Sequence, residues 1–191
     1  MLSVMQAQCR RPERTVIGHP FNPPHIIPLV EVVGGTKTAP ETIGDAMAFY
    51  ASVGKKPILL KKELRGHVAN RIQSALYREV VYLVGQGVLD VADSDDAVSW
   101  GPGLRWGVMG PNLLWHLGGG EGGIRHFAET LMPGMAASWL SLGVPELTPE
   151  LTERIVAGVL EEANGQSIDA LAAQRDAMLF GLLAVRAKEG R

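Results

Sequence analysis

Residues 18–35 read GHPFNPPHIIPLVEVVGG, and this stretch decides how the first part of the chain folds. It holds two of the five histidines, four of the twelve prolines and a single acid, Glu31. The apolar run that closes with Gly34 and Gly35 predicts a strand, because short apolar runs bounded by glycine are typical of buried strands. The prolines before that run indicate a stiff loop directly after His19.

Strand and helix signals alternate around this stretch. RTVIG at 14–18 and KPILLKKE at 56–63 are further predicted strands. Between the second and third strands, TAPETIGDAMAFYASVG at 38–54 predicts a helix, with Thr38 as its N-cap and Pro40 in its first turn. A strand, a helix and a strand in this order indicate a parallel βαβ crossover in an open α/β sheet.

The predicted sheet is incomplete. Three short strands and one long helix do not cover both faces of a doubly wound sheet, and the G-x-G-x-x-G turn of nucleotide-binding folds does not occur in the sequence. We therefore expect the chain to begin inside a domain whose first half it does not contain.

The pattern becomes helical from Gly66 onward. Apolar residues recur at helical spacing over 66–87, Thr148 and Pro149 form a typical helix start, and residues 167–191 predict a long amphipathic helix. The sequence therefore predicts an α/β remnant, made of the last strands of a sheet and one crossover helix, followed by an all-α domain. The chain as a whole is expected to be mostly helical.

Composition excludes several classes of function. With 46% hydrophobic and 20% charged residues, the chain is typical of a soluble globular protein. A net charge of −2 gives no indication of nucleic-acid or membrane binding by bulk attraction. Cys9 is the only cysteine, so no internal disulfide forms, and the N-terminus lacks the pattern of a signal peptide. These features predict a cytoplasmic protein.

His19 and Glu31 are the residues that suggest chemistry. An acid between valines in a strand is unfavourable unless it is paired. An imidazole would supply that pairing, and its second ring nitrogen would face a substrate as a general base. The alternative is a strand-end histidine and an edge-strand glutamate that both face water.

Three segments together resemble a known family. The stretch 18–35, KKELRGHVANRIQSALYREVVYLVGQGV at 61–88 and GPGLRWGVMGP at 101–111 are similar to the L-3-hydroxyacyl-CoA dehydrogenase superfamily. Within it, the chain resembles the branch that includes lambda-crystallin (L-gulonate 3-dehydrogenase) and carnitine dehydrogenase. The resemblance implies that residues 1–65 are the C-terminal portion of a Rossmann-type NAD-binding domain, and that 66–191 are a helical dimerisation and substrate domain.

The resemblance also implies roles for individual residues. His19 matches the general base of the family, and Glu31 matches the acid that orients it. Asn70 matches an asparagine that contacts the substrate. Asn22 is expected to contact both the substrate and the cofactor, and Pro20 is expected to contact the cofactor. The serine turn that binds the substrate oxygen in the family has no match in this sequence, and neither does the glycine-rich loop.

The implied function is that of a partial subunit of an NAD-dependent dehydrogenase that oxidises a secondary alcohol. The substrate stays open between a 3-hydroxyacyl-CoA, a 3-hydroxy acid such as L-gulonate, and carnitine. The alternative is a non-catalytic helical dimerisation module without a cofactor site. In both cases we expect the chain to be a homodimer that binds NAD weakly or not at all.

Other residues are weaker candidates for function. Arg105 is a candidate partner of an anionic substrate group, since a guanidinium binds carboxylates bidentately, and its alternative is a surface arginine stacked on Trp106. Further candidates are His25, a candidate substrate contact at the mouth of the cleft, and His67, expected as a half-exposed helix-start residue. The spacing of His116, Glu121 and His126 matches no ligand pattern of a metal site. The glycine cluster at 118–123 predicts a helix–helix connection or close backbone packing at a substrate cleft.

Overall fold

The structure is a computed structural model that describes residues 1–189. The chain divides into two compact units, the first spanning Met1–Ala75 and the second beginning at Leu76. The α/β class followed by a helical part, as predicted from the sequence, is confirmed.

The first unit is built on a three-stranded sheet in the order β1-β2-β3, with β1 at Val16–Pro20, β2 at Leu29–Gly34 and β3 at Lys56–Leu59. Strand β1 runs antiparallel to β2, whereas β2 and β3 are parallel. The connection between the parallel strands contains helix α2, Pro40–Ser52, so the predicted βαβ crossover is present.

Strand β2 is the buried centre of this sheet. Four successive residues, Val30, Glu31, Val32 and Val33, are each at most 3% exposed. Such continuous burial is typical of a strand that is covered on both faces, and it explains why this segment reads as an apolar run rather than as an alternating pattern. A carboxylate at the middle of this run therefore lies inside the protein.

The start of α2 differs from the sequence prediction. The N-cap position is Ala39, not Thr38, and it provides no side-chain hydrogen bond. The Thr38 hydroxyl instead donates to the Thr15 carbonyl oxygen at 2.7 Å and accepts from the Gly35 amide at 2.8 Å. Thr38 thus joins the loop after β2 to the segment before β1, and Pro40 starts the helix with its fixed φ.

A short helix that the sequence analysis missed closes one side of the first unit. This helix, α1, covers Leu2–Gln6, and both of its terminal side chains are buried. The Gln6 amide nitrogen lies 2.8 Å from the hydroxyls of both Thr15 and Thr38. Its carbonyl oxygen accepts from the Lys37 amide at 3.1 Å, so one buried side chain satisfies polar groups from two segments of the chain.

Helix α3, Val68–Gly85, passes through the division between the two units. The helices that follow it in the described residues are α4 Val91–Ser99, α5 Pro102–Trp106, α6 Pro111–Gly118, α7 Gly123–Thr130, α8 Met132–Ser138, α9 Pro149–Ala163 and α10 Ile168–Lys188. Among these described residues, no helix is both long enough and apolar enough to cross a membrane.

Side-chain caps begin three of the helices in the second unit. Asp90 accepts from the Asp93 amide at 2.8 Å, and Thr148 accepts from the Leu151 amide at 3.2 Å, with Ser167 capping α10 in the same way. The predicted helix start at Thr148 is therefore confirmed.

The glycine cluster at 118–123 connects α6 to α7, as the sequence predicts for a helix–helix connection. The position of a β-carbon on Gly119 would overlap the carbonyl oxygen of Gly123. Gly123 itself has φ 58° and lies against the ring of His116. The cluster is thus explained by close backbone approach within the second unit.

The second unit leaves many large apolar side chains exposed. Leu140 is 93% exposed, Ile168 81%, Val144 80% and Met178 78%. On α10 the exposed apolar residues are spread around the helix rather than along one stripe, so the prediction of a simply amphipathic final helix is wrong. A helix that is apolar on several sides is typical of one that is covered by other protein.

The residue before His19 offers a test of how tightly the sheet packs. A β-carbon on Gly18 would overlap the ring of Tyr50 on α2. We expect Gly18→Ala to lower the free energy of unfolding by about 1–3 kcal/mol through overpacking. The matched control is Gly44→Ala, a helical position with nothing within 4 Å, which we expect to raise stability by about 0.5–1 kcal/mol. Urea midpoints measure both, and equal midpoints for the two variants would contradict the packing.

Candidate active site

The register of the sheet brings His19 and Glu31 face to face. The two residues are direct partners in the antiparallel β1–β2 ladder. The His19 Nδ1 atom lies 3.1 Å from the Glu31 Oε2 atom. The Glu31 side chain is 0% exposed and the His19 side chain is 27% exposed, so the acid is inside and the imidazole reaches the surface.

The second carboxylate oxygen of Glu31 binds the beginning of helix α3. Its Oε1 atom accepts from the amides of Val68 at 2.7 Å and Ala69 at 3.1 Å. The first amides of a helix have no partner inside it, and the helix dipole favours negative charge at this end. Glu31 therefore caps α3 from a neighbouring strand, and the buried carboxylate is satisfied on both oxygens.

His67 completes the arrangement, and sequence reasoning missed its contact. Its ring is stacked on that of His19, with centroids 3.9 Å apart and an interplanar angle of 4°. His67 is half-buried, as expected from the sequence. Burial lowers the pKa of His67 below its usual value, and the nearby charge of His19 lowers it further, whereas the charge of Glu31 acts in the opposite direction.

The pairing arises from register and not from a strand-end rule. His19 is near the carboxyl end of β1, and in an open parallel sheet ligands bind at the carboxyl ends of the strands. Because β1 runs antiparallel to β2, its carboxyl end lies beside the amino end of β2 instead. A signal in the sequence for the actual contact is the twelve-residue separation of two polar residues in adjacent strands, but only the loop geometry sets which residues face each other.

The remaining predicted residues of the first unit lie around this pair. Pro20 ends β1, and Asn22 follows it as an exposed loop residue. Asn70 is exposed in the first turn of α3. His25 is an exposed residue of the proline-rich loop. No contact given by the structure tests the substrate or cofactor roles of these residues, which stay predictions.

A cavity in the second unit contains Arg105. It has a volume of about 280 Å³ and is lined by Pro102, Arg105, Trp106, Pro111, Leu114 and Trp115. The ring contacts of the described residues do not include a stack of the Arg105 guanidinium on Trp106, which was the alternative expected for this arginine. The cavity thus combines one cation with two indole rings.

His116 and His126 have local structural contacts. The His116 Nδ1 atom accepts from the Ile124 amide at 3.0 Å, across the connection from α6 to α7. The β-carbon of His126 lies against Gly122. Within residues 1–189, no group of three or more histidine, cysteine, aspartate or glutamate side chains is placed to hold a metal ion.

Comparison with known proteins identifies both parts of the chain. A family model described as the NAD-binding domain of 3-hydroxyacyl-CoA dehydrogenase matches residues 1–64. The model of the C-terminal domain of 3-hydroxyacyl-CoA dehydrogenase matches residues 66–168.

Curated relatives include two L-carnitine dehydrogenases. The protein of Bacillus cereus is 45% identical over 181 residues, a match that covers 95% of this chain and 56% of the relative. The protein of Streptomyces griseus is 47% identical over 179 residues, covering 94% of this chain and 53% of the relative. The chain spans about half the length of the curated relatives it matches.

Solved structures have the same fold. The 5-formyl-3-hydroxy-2-methylpyridine 4-carboxylic acid 5-dehydrogenase, an NAD⁺-dependent dismutase, is 32% identical with a TM-score of 0.73, covering 100% of this chain and 61% of that structure. A 3-hydroxyacyl-CoA dehydrogenase of Archaeoglobus fulgidus has a TM-score of 0.60 at 22% identity, covering 99% of this chain and 64% of that one, which indicates likeness of fold alone.

The contacts of Glu31 predict a large effect on stability. Glu31→Ala leaves His19 and two helix amides without their acceptor, and we expect a loss of about 3 kcal/mol or more in the free energy of unfolding. Glu31→Gln keeps an oxygen for the amides and should lose less. The control Glu41→Ala removes an exposed acid from the first turn of α2 and should cost no more than about 1 kcal/mol. Denaturant unfolding measures all three, and a Glu31→Ala variant as stable as the control would contradict the capping role.

Proposed function

We propose, since the chain belongs to the 3-hydroxyacyl-CoA dehydrogenase family, that it provides the general base for NAD-dependent oxidation of the secondary alcohol of a 3-hydroxy acid or its ester. The observation that carries this proposal is the pair formed by a fully buried carboxylate and a partly exposed imidazole, Glu31 and His19. A base of this kind contributes typically about 10²–10⁴-fold to a rate.

The proposed proton transfer follows from the contacts of the pair. The Glu31 carboxylate accepts from Nδ1 of His19, so this nitrogen carries the hydrogen and the Nε2 lone pair is available. In the proposed step, Nε2 takes the hydroxyl proton of the substrate as the C–O double bond forms. The imidazolium that results is stabilised by the carboxylate 3.1 Å away.

NAD would accept the hydride in such a reaction. A cavity in the first unit, which includes His67 in its lining, has a volume of about 160 Å³. Sites for drug-sized ligands have volumes of about 300–1,000 Å³, so this cavity does not fit a whole dinucleotide. Asn22 and Pro20, in the segment that follows His19, are the proposed contacts of its nicotinamide end.

Among the three substrates left open, we favour L-carnitine, because the curated relatives described above are L-carnitine dehydrogenases. Carnitine is a 3-hydroxy acid with a carboxylate at one end and a trimethylammonium group at the other. Arg105 is proposed as the partner of the carboxylate, because a guanidinium binds carboxylates bidentately. Asn70 is proposed as a further substrate contact.

A second candidate function is a helical dimerisation module without catalysis. The observation in its favour is the exposed apolar surface of the second unit, including Leu140 and Met178. Calorimetry of this 191-residue chain with NAD distinguishes the two candidates at the level of the cofactor. Micromolar affinity supports a dehydrogenase that needs no glycine-rich loop, whereas no binding leaves the chain dependent on a longer protein for catalysis.

The role of His19 is tested by substitution in a protein that spans the full length of the family. We expect His19→Ala to lower turnover of L-carnitine by at least about a hundredfold, the lower end of the effect of a positioned base. The loss should be in kcat, with the circular dichroism spectrum unchanged. His126→Ala, which removes another exposed imidazole, is the control. A His19→Ala enzyme that keeps most of its turnover would remove this residue from the mechanism.

The oligomeric state tests the proposed homodimer. We expect light scattering of the 191-residue chain to give the mass of a dimer at micromolar concentration. The exposed apolar side chains of the second unit are of the kind that stable homodimers bury, in interfaces of about 2,000 Å² or more. Leu140→Glu places a charge on the most exposed large apolar residue of the described chain and should shift the mass toward the monomer. Lys61→Glu, an exposed change in the first unit, should not. A monomer of the parent chain would contradict the dimer.

A further inference from the structure

The His19 imidazole has a second neighbour besides Glu31, because the ring of His67, just before α3, is stacked on it. The rings of His67 and His19 are nearly parallel, 4° apart in plane, at a centroid distance of 3.9 Å. We propose that His67 is a positioning residue, whose ring fixes the plane of the His19 imidazole for proton transfer. This inference rests on the proposed function of His19 as the base.

The physical need for a second constraint comes from the geometry of the first. The hydrogen bond between His19 Nδ1 and Glu31 Oε2 lies at one point of the ring, 3.1 Å long. A single hydrogen bond still allows the ring to pivot about it, since the terminal torsion of a histidine is broad. A flat ring against the face of His19 opposes that pivot. The hydrogen bond and the stack together set both the position and the plane of the base.

The backbone at His67 supports a role beyond filling space. His67 has φ 55°, in the left-handed region, directly after Gly66 with φ 84°. A residue with a β-carbon is strained there, and glycine would be favoured by the backbone alone. The same turn delivers the Val68 and Ala69 amides to Glu31. The turn thus places a ring on the base and two donors on its acid within three successive residues.

The electrostatic setting suits a neutral partner ring. The charged groups that act on the pKa of His67 include His19 from β1 and Glu31 from β2, and Glu63 and Arg65 line the same cavity. The lowered pKa of His67 keeps its ring neutral near pH 7, so that His19 takes up a proton against an uncharged face. A second cation at 3.9 Å would instead oppose the charge that develops on the base.

The experiment uses three substitutions at one position in the 191-residue chain. His67→Phe keeps a flat ring, His67→Ala removes it, and His67→Gly removes it while relieving the left-handed backbone. The readout is the side-chain NMR spectrum of His19, in which ring stacking shifts the Cε1 proton upfield. We expect the upfield shift to persist in His67→Phe and to disappear in His67→Ala and His67→Gly. His126→Ala is the control and should leave the His19 signals unchanged.

Thermal unfolding separates positioning from folding. Because the backbone strain is relieved, His67→Gly should melt no lower than His67→Ala, although both have lost the stack. A Cε1 shift of His19 that is the same in His67→Ala as in the parent chain would overturn the proposal. The same conclusion would follow if His67→Phe gave the His67→Ala spectrum.

Kinetics in a protein of full family length complete the test. We expect His67→Ala to lower kcat by roughly tenfold to a hundredfold with little change in KM, since small misplacement of a reacting group has effects of this order. His67→Phe should stay within a few-fold of the parent. Equal kcat values for His67→Ala and the parent would overturn the positioning role. Failure of the proposed function is recognised separately, because His19→Ala would then keep its turnover whatever the NMR result.

Discussion

The buried carboxylate of Glu31 is the interaction on which the rest of the site depends. Its two oxygens serve different elements, one binding the imidazole of His19 on β1 and the other binding the first amides of α3. A charge inside a protein is tolerated only when it is paired and hydrogen-bonded, and these partners meet that requirement. The charge therefore links a strand pair, a helix start and a reactive ring through one side chain.

Local signals in the sequence were sufficient for much of the fold. The apolar run around Glu31, the helix before β3 and the cap at Thr148 each depend on residues close in the chain, and the structure contains all three. The contact between His19 and Glu31 was one of two interpretations that the residues left open, and the family resemblance implied it. The structure adds that the partners stand opposite each other in an antiparallel ladder.

The features that escaped prediction depend on distant parts of the chain. Thr38 was expected to cap α2, but its hydroxyl is used by Thr15 and Gly35, which lie outside the helix. The stack of His67 on His19 joins residues 48 positions apart, and no periodicity signals it. The exposed apolar surface of α10 is invisible to a pattern search, which assumes that apolar residues are covered by the same chain.

The two sets of contacts made by Glu31 also bear on how such a protein changes during evolution. His19 is partly exposed, and its loss leaves the amides of α3 on the Glu31 carboxylate in place. Glu31 is different, since its loss also removes the cap of an eighteen-residue helix. A descendant that has abandoned catalysis is therefore expected to lose the imidazole before the carboxylate. In this fold, a glutamate at this position without the histidine would indicate an ancestor that had the catalytic pair. The glutamate would be retained because it still caps α3.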